Sequence, residues 1–458
     1  MKRNILSTVI ASLVLTACGE GNAPSVASLS PEPSPDLSAP KVTVYDELRE
    51  VIGDTDSLMF PTSIYDIPAD PSNPITPEKV ELGKFLFHET GATNGNTELV
   101  DTWSCATCHS AKFGFRDAIR QSIGEGGLGF GENRVLAYDG IDSDSPPIST
   151  PTSLNLAYQE VTLWNGMAGN QIGGAINGVL PEEVLAPEGT PKTNNLFQLG
   201  GAETQVLFAN GAHRKSLGLA DGIVRTNETY NHMLDLAFPE GYDNQLVAVA
   251  KAIAAYERTK LATEAPFQAW LAGDDSAMTE QQAAGAKLFF GEAGCSGCHQ
   301  GPALATDVGS SDEDTFMAIG FADLDYNNTI VGMIDDATRK GRGGFTGNDW
   351  DNYRFKVPTL YNLADVNFYG HGGSFTSVRE VIEYKNAAIP QADIPAEYLD
   401  YRFVPLNLTE EQITDLTAFV EEALRDPNLE RYQPAALPTG NCIINADDQS
   451  KIDLGCDN

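Results

Sequence analysis

Cys105-Ala106-Thr107-Cys108-His109 and Cys295-Ser296-Gly297-Cys298-His299 decide most of what this chain can be. In each stretch two thiols can add across the two vinyl groups of a haem. The next residue is an imidazole that can ligate its iron, which is the c-type attachment pattern. Zinc is the competing use of a CxxC pair. A zinc ribbon, however, brings its pairs within about 15–20 residues of each other, and these begin 190 positions apart. The expectation is two covalently bound haem c groups. Cys105, Cys108, Cys295 and Cys298 carry them, and His109 and His299 are the proximal axial ligands.

The N-terminus agrees with export. Lys2 and Arg3 precede an uncharged run, Ile5 to Ala17, too short to span a bilayer. It ends in Leu15-Thr16-Ala17-Cys18-Gly19, which resembles a bacterial lipoprotein signal. That resemblance implies removal of residues 1–17 and lipidation of Cys18. A plain signal peptide is the simpler alternative. Gly19 is not the aspartate associated with inner-membrane retention, so the expected address is the periplasmic side of the outer membrane, lipid-anchored. Export also places the thiols where disulfides persist. Of seven cysteines, Cys442 and Cys456 are left over, flanking a polar segment. A disulfide there closes a loop of about 15 residues, on the order of 3 kcal/mol in the chain-entropy treatment.

The formal charge is −35. Such a surface repels nucleic acid and anionic membrane and steers a basic redox protein by long-range attraction. Selection for solubility explains the same number. Residues 18–45 are rich in Ser, Pro and Ala and read as a flexible tether.

An internal repeat locates the domains. Thr76-Pro77-Glu78 starts a helix that runs through Gly83-Lys84-Phe85-Leu86-Phe87 to the first motif; Thr279-Glu280-Gln281-Gln282 is a capping box whose helix runs through Gly285-Ala286-Lys287-Leu288-Phe289 to the second. Apolar residues at helical spacing predict further helices over 245–260 and 409–424. The predicted fold is mainly α: two cytochrome c-like haem domains in tandem with long irregular connections. The expected limits are 46–240 and 241–436, followed by a disulfide-closed tail, 437–458.

Several phrases together resemble the bacterial di-haem cytochrome c peroxidase and MauG family, from about residue 75 to 435. They are the two G-x-x-L-F helices, Ser122-Ile123-Gly124, Pro151-Thr152-x-Leu154-Asn155 leading to Trp164-Asn165-Gly166, Pro266-Phe267, Lys356-Val357-Pro358-Thr359-Leu360-Tyr361-Asn362, and His371-Gly372-Gly373. The resemblance implies an N-terminal haem that meets peroxide and a C-terminal haem that relays electrons.

It also assigns roles. Glu125 stands where the family often has a histidine that blocks the first iron, which implies an open face there; a solvated loop acid is the alternative. Gln205 matches the family's distal glutamine. His213 lies near the position of its distal glutamate, which makes it the candidate proton shuttle, with Glu182 and Glu183 as competing acids. Trp164 matches the tryptophan between the haems. The sixth ligand of the second haem falls at Lys385 or Tyr384, with Met317 and Met333 as remote candidates. His371 is expected on a propionate or a backbone group, and His88 and His232 have no assigned task. The family places calcium at the domain interface, partly through an Asn that is Ser149 here and through carbonyls near Val366 to Phe368; the missing Asn departs from that pattern. It also includes homodimers.

The expected function is reduction of hydrogen peroxide to water with electrons from a small cytochrome c or cupredoxin. A MauG-like oxidation of Trp or Tyr residues of a partner protein, and a di-haem electron carrier without substrate chemistry, are the rivals.

Overall fold

A computed structural model describes residues 42–456 apart from 96, 170–196, 198, 307–308, 328 and 331. The lipoprotein signal with Cys18, almost all of the tether, and Glu182 and Glu183 lie outside the described residues. Helices dominate, and the strands among the described residues form three two-stranded antiparallel ribbons.

Both repeat helices begin as their sequences dictate. The Thr76 side chain accepts from Lys79 N ahead of helix Pro77–His88, with Pro at the first helical position. Thr279 and Gln282 close a capping box ahead of helix Glu280–Phe290. Each is then crossed by a later helix at its glycine. A Cβ on Gly83 would collide with the Ala252 carbonyl and lie 2.9 Å from Tyr256 Cβ on helix Gln245–Thr259. A Cβ on Gly285 would collide with the Asp415 carbonyl and lie 2.9 Å from Phe419 Cβ. These two crossings are copies of one another. The second partner differs from the expected single helix: Glu410–Ala418 is α-helical, and Phe419–Ala423 continues it as a π-turn.

Two cores follow. Leu82, Leu86, Phe87, Val249, Ile253 and Tyr256 pack with Tyr230 and Leu234 in the first. Phe267, Trp270, Phe289, Ile413, Leu416 and Phe419 form the second. The expected boundary at 240/241 cuts through the first core, because helix Gln245–Thr259 packs on Pro77–His88. The chain ends are exchanged as well. Leu48 and Phe60 sit in the second core, and Ile444 of the tail sits in the first. Cys442 and Cys456 are disulfide-bonded.

The crossings make a stability prediction. Gly83→Ala and Gly285→Ala should each destabilise by about 1–3 kcal/mol or more, the cost of overpacking. Gly211→Ala, in open space on helix Gly201–Ala212, should be neutral or slightly stabilising. Chemical denaturation followed by far-UV circular dichroism measures all three; equal behaviour would refute the crossing as a constraint.

Candidate functional site

Each CxxCH begins as a single 3-10 turn, Cys105–Thr107 and Cys295–Gly297. The His109 N–H donates to the Cys105 carbonyl and the His299 N–H to the Cys295 carbonyl, both at 3.0 Å. Thiol and imidazole are thereby held one turn apart. His109 Nδ1 lies 3.2 Å from the Phe115 carbonyl. His299 Nδ1 lies 3.0 Å from the Leu304 carbonyl and 3.2 Å from that of Pro358. A carbonyl only accepts, so Nδ1 carries the proton and Nε2 keeps its lone pair for iron. Phe115 and Leu304 both adopt left-handed φ, 56° and 44°. That conformation is costly for bulky residues, and here both residues present the carbonyl that fixes an imidazole. Burial pushes His109 down to about 3 and His299 to about 4, the former aided by the Lys260 charge and the latter by Lys385. Both are therefore neutral, the ligating form. Four thiols in two turns, two oriented imidazoles and the second cavity described next fit two haems.

The second motif opens on a cavity of ≈ 750 Å³ lined by Cys295, Cys298, His299, Phe321, Lys385 and Trp164 among others, a volume suited to a bound cofactor. Lys385 sits in its wall, with Nζ 5.7 Å from the Phe321 ring and 5.8 Å from that of Phe403. Burial pushes this amine down to about 8. Tyr384 faces elsewhere: its hydroxyl donates to the Ile319 carbonyl, and its ring packs among Phe321, Phe375 and Phe403. Met317 and Met333 also line the cavity; Met317 is buried, whereas Met333 is 82% exposed.

Around the first motif the structure gathers residues from three separate stretches. His213 caps the C-terminus of helix Gly201–Ala212, and its Nδ1 lies 2.9 Å from Asp144 Oδ2. The His213 charge acts on His109 and that of Asp144 on Cys108. Gln205 is half-buried on the same helix, about two turns before His213. Glu125 is fully buried. Arg214 Nη1 donates to it at 2.6 Å and also reaches Asp142, and the Thr97 N–H donates to its other oxygen. Burial alone would raise this carboxyl; the hydrogen bonds from Arg214 and Thr97 outweigh it and hold the group below its ordinary range. Glu125 is thus a fixed anion in an ion pair. Glu203, beside Gln205, is tied to Arg258 at 2.8 Å and Asn73 at 2.6 Å.

Trp164 lines the second cavity. Its Nε1–H donates to the Ser149 carbonyl at 2.6 Å, and its ring meets His371 edge-on with centroids 6.3 Å apart. His371 stacks on Phe355 at 3.7 Å, lies 3.2 Å from Asp323 Oδ1 and lines the cavity at the second motif. Ser149 Oγ accepts from Arg116 at 3.2 Å, and the Val366 carbonyl accepts from the Tyr369 hydroxyl at 2.9 Å. With a guanidinium on the serine that replaces the Asn, these donors do not fit calcium. His88 is buried, with Nδ1 2.8 Å from the Lys84 carbonyl, and His232 is exposed.

Asp144, Arg214, Arg116 and Lys260 were not legible as site residues. Asp144 lies in an irregular stretch without periodicity, and only Arg214 had a signal, its place directly after His213.

The family described as "Di-haem cytochrome c peroxidase" matches residues 77–276. A relative named "Cytochrome-c peroxidase IdrP1" from Denitromonas iodatirespirans is 30% identical, over 81% of this chain and 89% of its own. "Methylamine utilization protein MauG" from Methylorubrum extorquens is 27% identical, over 79% and 82%. Among solved structures, a MauG-like protein associated with microbial copper homeostasis shares the fold at TM-score 0.56 and 22% identity, over 81% of this chain and 95% of its own. With both attachment turns built alike and this likeness over most of its length, the chain belongs to the di-haem cytochrome c peroxidase family.

Proposed function

We propose that the chain reduces hydrogen peroxide to water at the first haem, with electrons drawn from a small cytochrome c or cupredoxin through the second haem and Trp164. The observation that carries this reading is the His213–Asp144 pair at 2.9 Å beside the first motif. Haem iron, when bound, supplies the electrophilic and redox centre for O–O cleavage. The chain supplies proton management. Asp144 accepts the Nδ1 proton of His213, so Nε2 is presented as a base. With haem in place, His213 would take a proton from the peroxide, Asp144 would stabilise the resulting imidazolium, and His213 would return that proton to the leaving hydroxide. The His213 side chain is 41% exposed, so further protons come from solvent. Gln205 completes the distal side. Glu125, locked to Arg214, anchors the corner that carries His213.

At the second haem Lys385 is the proposed sixth ligand. Its amine faces the cavity and is pushed toward neutrality, whereas the Tyr384 hydroxyl is already committed. Trp164, hydrogen-bonded to Ser149 and lining the same cavity, is the proposed relay. The proposed address is the periplasm, with Cys18 as lipid anchor. No described helix is long and apolar enough to cross a membrane.

Stopped-flow mixing of the protein with peroxide and reduced cytochrome c tests the reading. Rapid cytochrome oxidation is expected. A persistent oxidised spectrum with slow cytochrome turnover would point instead to oxidation of a partner protein, the reading that Glu125 in place of histidine favours. No reaction would leave only electron transfer. His213→Ala should lower the peroxide rate by about 10²–10⁴-fold, the usual weight of a general acid–base group. Glu125→Gln should hold that rate within a few-fold yet cost about 1–3 kcal/mol of stability, since it removes a charge-assisted hydrogen bond at a buried carboxylate while Arg214 keeps Asp142. Lys385→Ala should change the low-spin electron paramagnetic resonance signal of one haem only; an unchanged spectrum removes Lys385 as ligand. Cys18→Ser should move the protein from the membrane to the soluble fraction of cells.

A further inference from the structure

The two haem units share a backbone frame in which one buried position carries a lysine in the first and a leucine in the second. The Asn155 N–H donates to the Lys260 carbonyl at 2.8 Å, and the Asn362 N–H donates to the Leu424 carbonyl at 3.1 Å. Two residues on, the Ala262 N–H donates to Asn155 Oδ1 at 3.0 Å and the Asp426 N–H to Asn362 Oδ1 at 3.2 Å. Both asparagines have left-handed φ, 58° and 57°. These paired bonds set Lys260 against Leu424. The shared Pro-Thr-x-x-Asn frame sets Ser153 against Leu360. Lys260 and Leu424 are both 0% exposed.

An ammonium is costly to bury, and at the matching place the second unit has Leu424 instead. In the first, Lys260 Nζ donates to Ser153 Oγ at 2.7 Å and lies 3.5 Å from Glu257 Oε1. It also lies 4.1 Å from the Phe87 ring and 4.7 Å from the Phe115 ring. Phe115 is the residue whose carbonyl fixes His109. Of the charges acting on His109, that of Lys260 is the largest. A fixed positive charge in a low-dielectric setting favours an added electron, and the potential of a haem follows its burial and surroundings.

We propose that Lys260 tunes the first haem: its buried ammonium, held by Ser153 and Glu257 beside Phe115, raises that haem's ferric-to-ferrous potential from a place that Leu424 leaves uncharged in the second unit. The proposal requires haem at Cys105 and Cys108 but no peroxide turnover. A protein inactive toward peroxide therefore still answers it.

The test is a spectroelectrochemical titration of the full-length, haem-loaded protein, with one electron per haem supplied through mediators. The first haem is assigned as the wave lost in the Cys105→Ala/Cys108→Ala protein. In Lys260→Leu, which copies the second unit, and in Lys260→Gln, which keeps polarity without charge, the first wave should move to lower potential and the second should stay. Unmoved waves in haem-replete variants would overturn the proposal, as would equal shifts of both. Loss of the first haem in both variants would also overturn it, by making Lys260 a folding requirement.

Discussion

The rest of the structure depends on two places where helices touch backbone to backbone. At Gly83 and Gly285 there is no room for a Cβ, so the crossing helix sits against the bare chain. This close approach fixes the line of each repeat helix, and an attachment turn follows each, 17 residues past His88 in the first unit and 5 past Phe290 in the second. It also fixes the start of the segment after each crossing, where Lys260 and Leu424 accept the same backbone bond from Asn155 and Asn362. One contact thus sets two sides of each haem pocket at once. Packing of this density leaves little freedom to absorb an added methyl.

Within that shared frame the two irons are given different surroundings. Both imidazoles are held by a carbonyl from a residue in a strained conformation, so the proximal side is common. The first site adds a lysine behind the imidazole and a histidine–aspartate pair near the motif. The second adds an amine in the wall of an apolar cavity, with a tryptophan on the same wall. Charge distinguishes them more than shape does. In a buried setting a single unit charge outweighs many small packing differences.

Those features that are local in sequence were legible in it. The CxxCH turns, the threonine caps and the G-x-x-L-F phrases each depend on residues within a few positions of one another, and the leftover cysteine pair on residues 14 apart. What was not legible depends on chain segments that meet only in space. Helix Gln245–Thr259 looks equally suited to either core, and only the Gly83 contact assigns it to the first. Lys385 and Tyr384 are neighbours on one helix, and only the Ile319 carbonyl and the aromatic cluster decide which faces the cavity. Glu125 could equally be a solvated loop acid by its sequence, and only Arg214, 89 residues away, makes it a buried partner. His213 lies near the family's distal glutamate position, but its partner Asp144 carries no sequence signal.

The tail has a consequence of its own. The Ile444 carbonyl accepts from the Ser104 and Thr107 hydroxyls, Asn445 reaches Thr107 and the Gly129 carbonyl, and the Ala446 N–H donates to Thr102. These contacts lie directly on the first attachment turn, and the tail follows both haem motifs in chain order. The bond between Cys442 and Cys456 restricts this segment before it docks, which lowers the conformational entropy that docking must overcome. The first attachment turn is therefore packed by a segment from the far end of the chain that is itself closed into a loop by a bond between residues 14 apart.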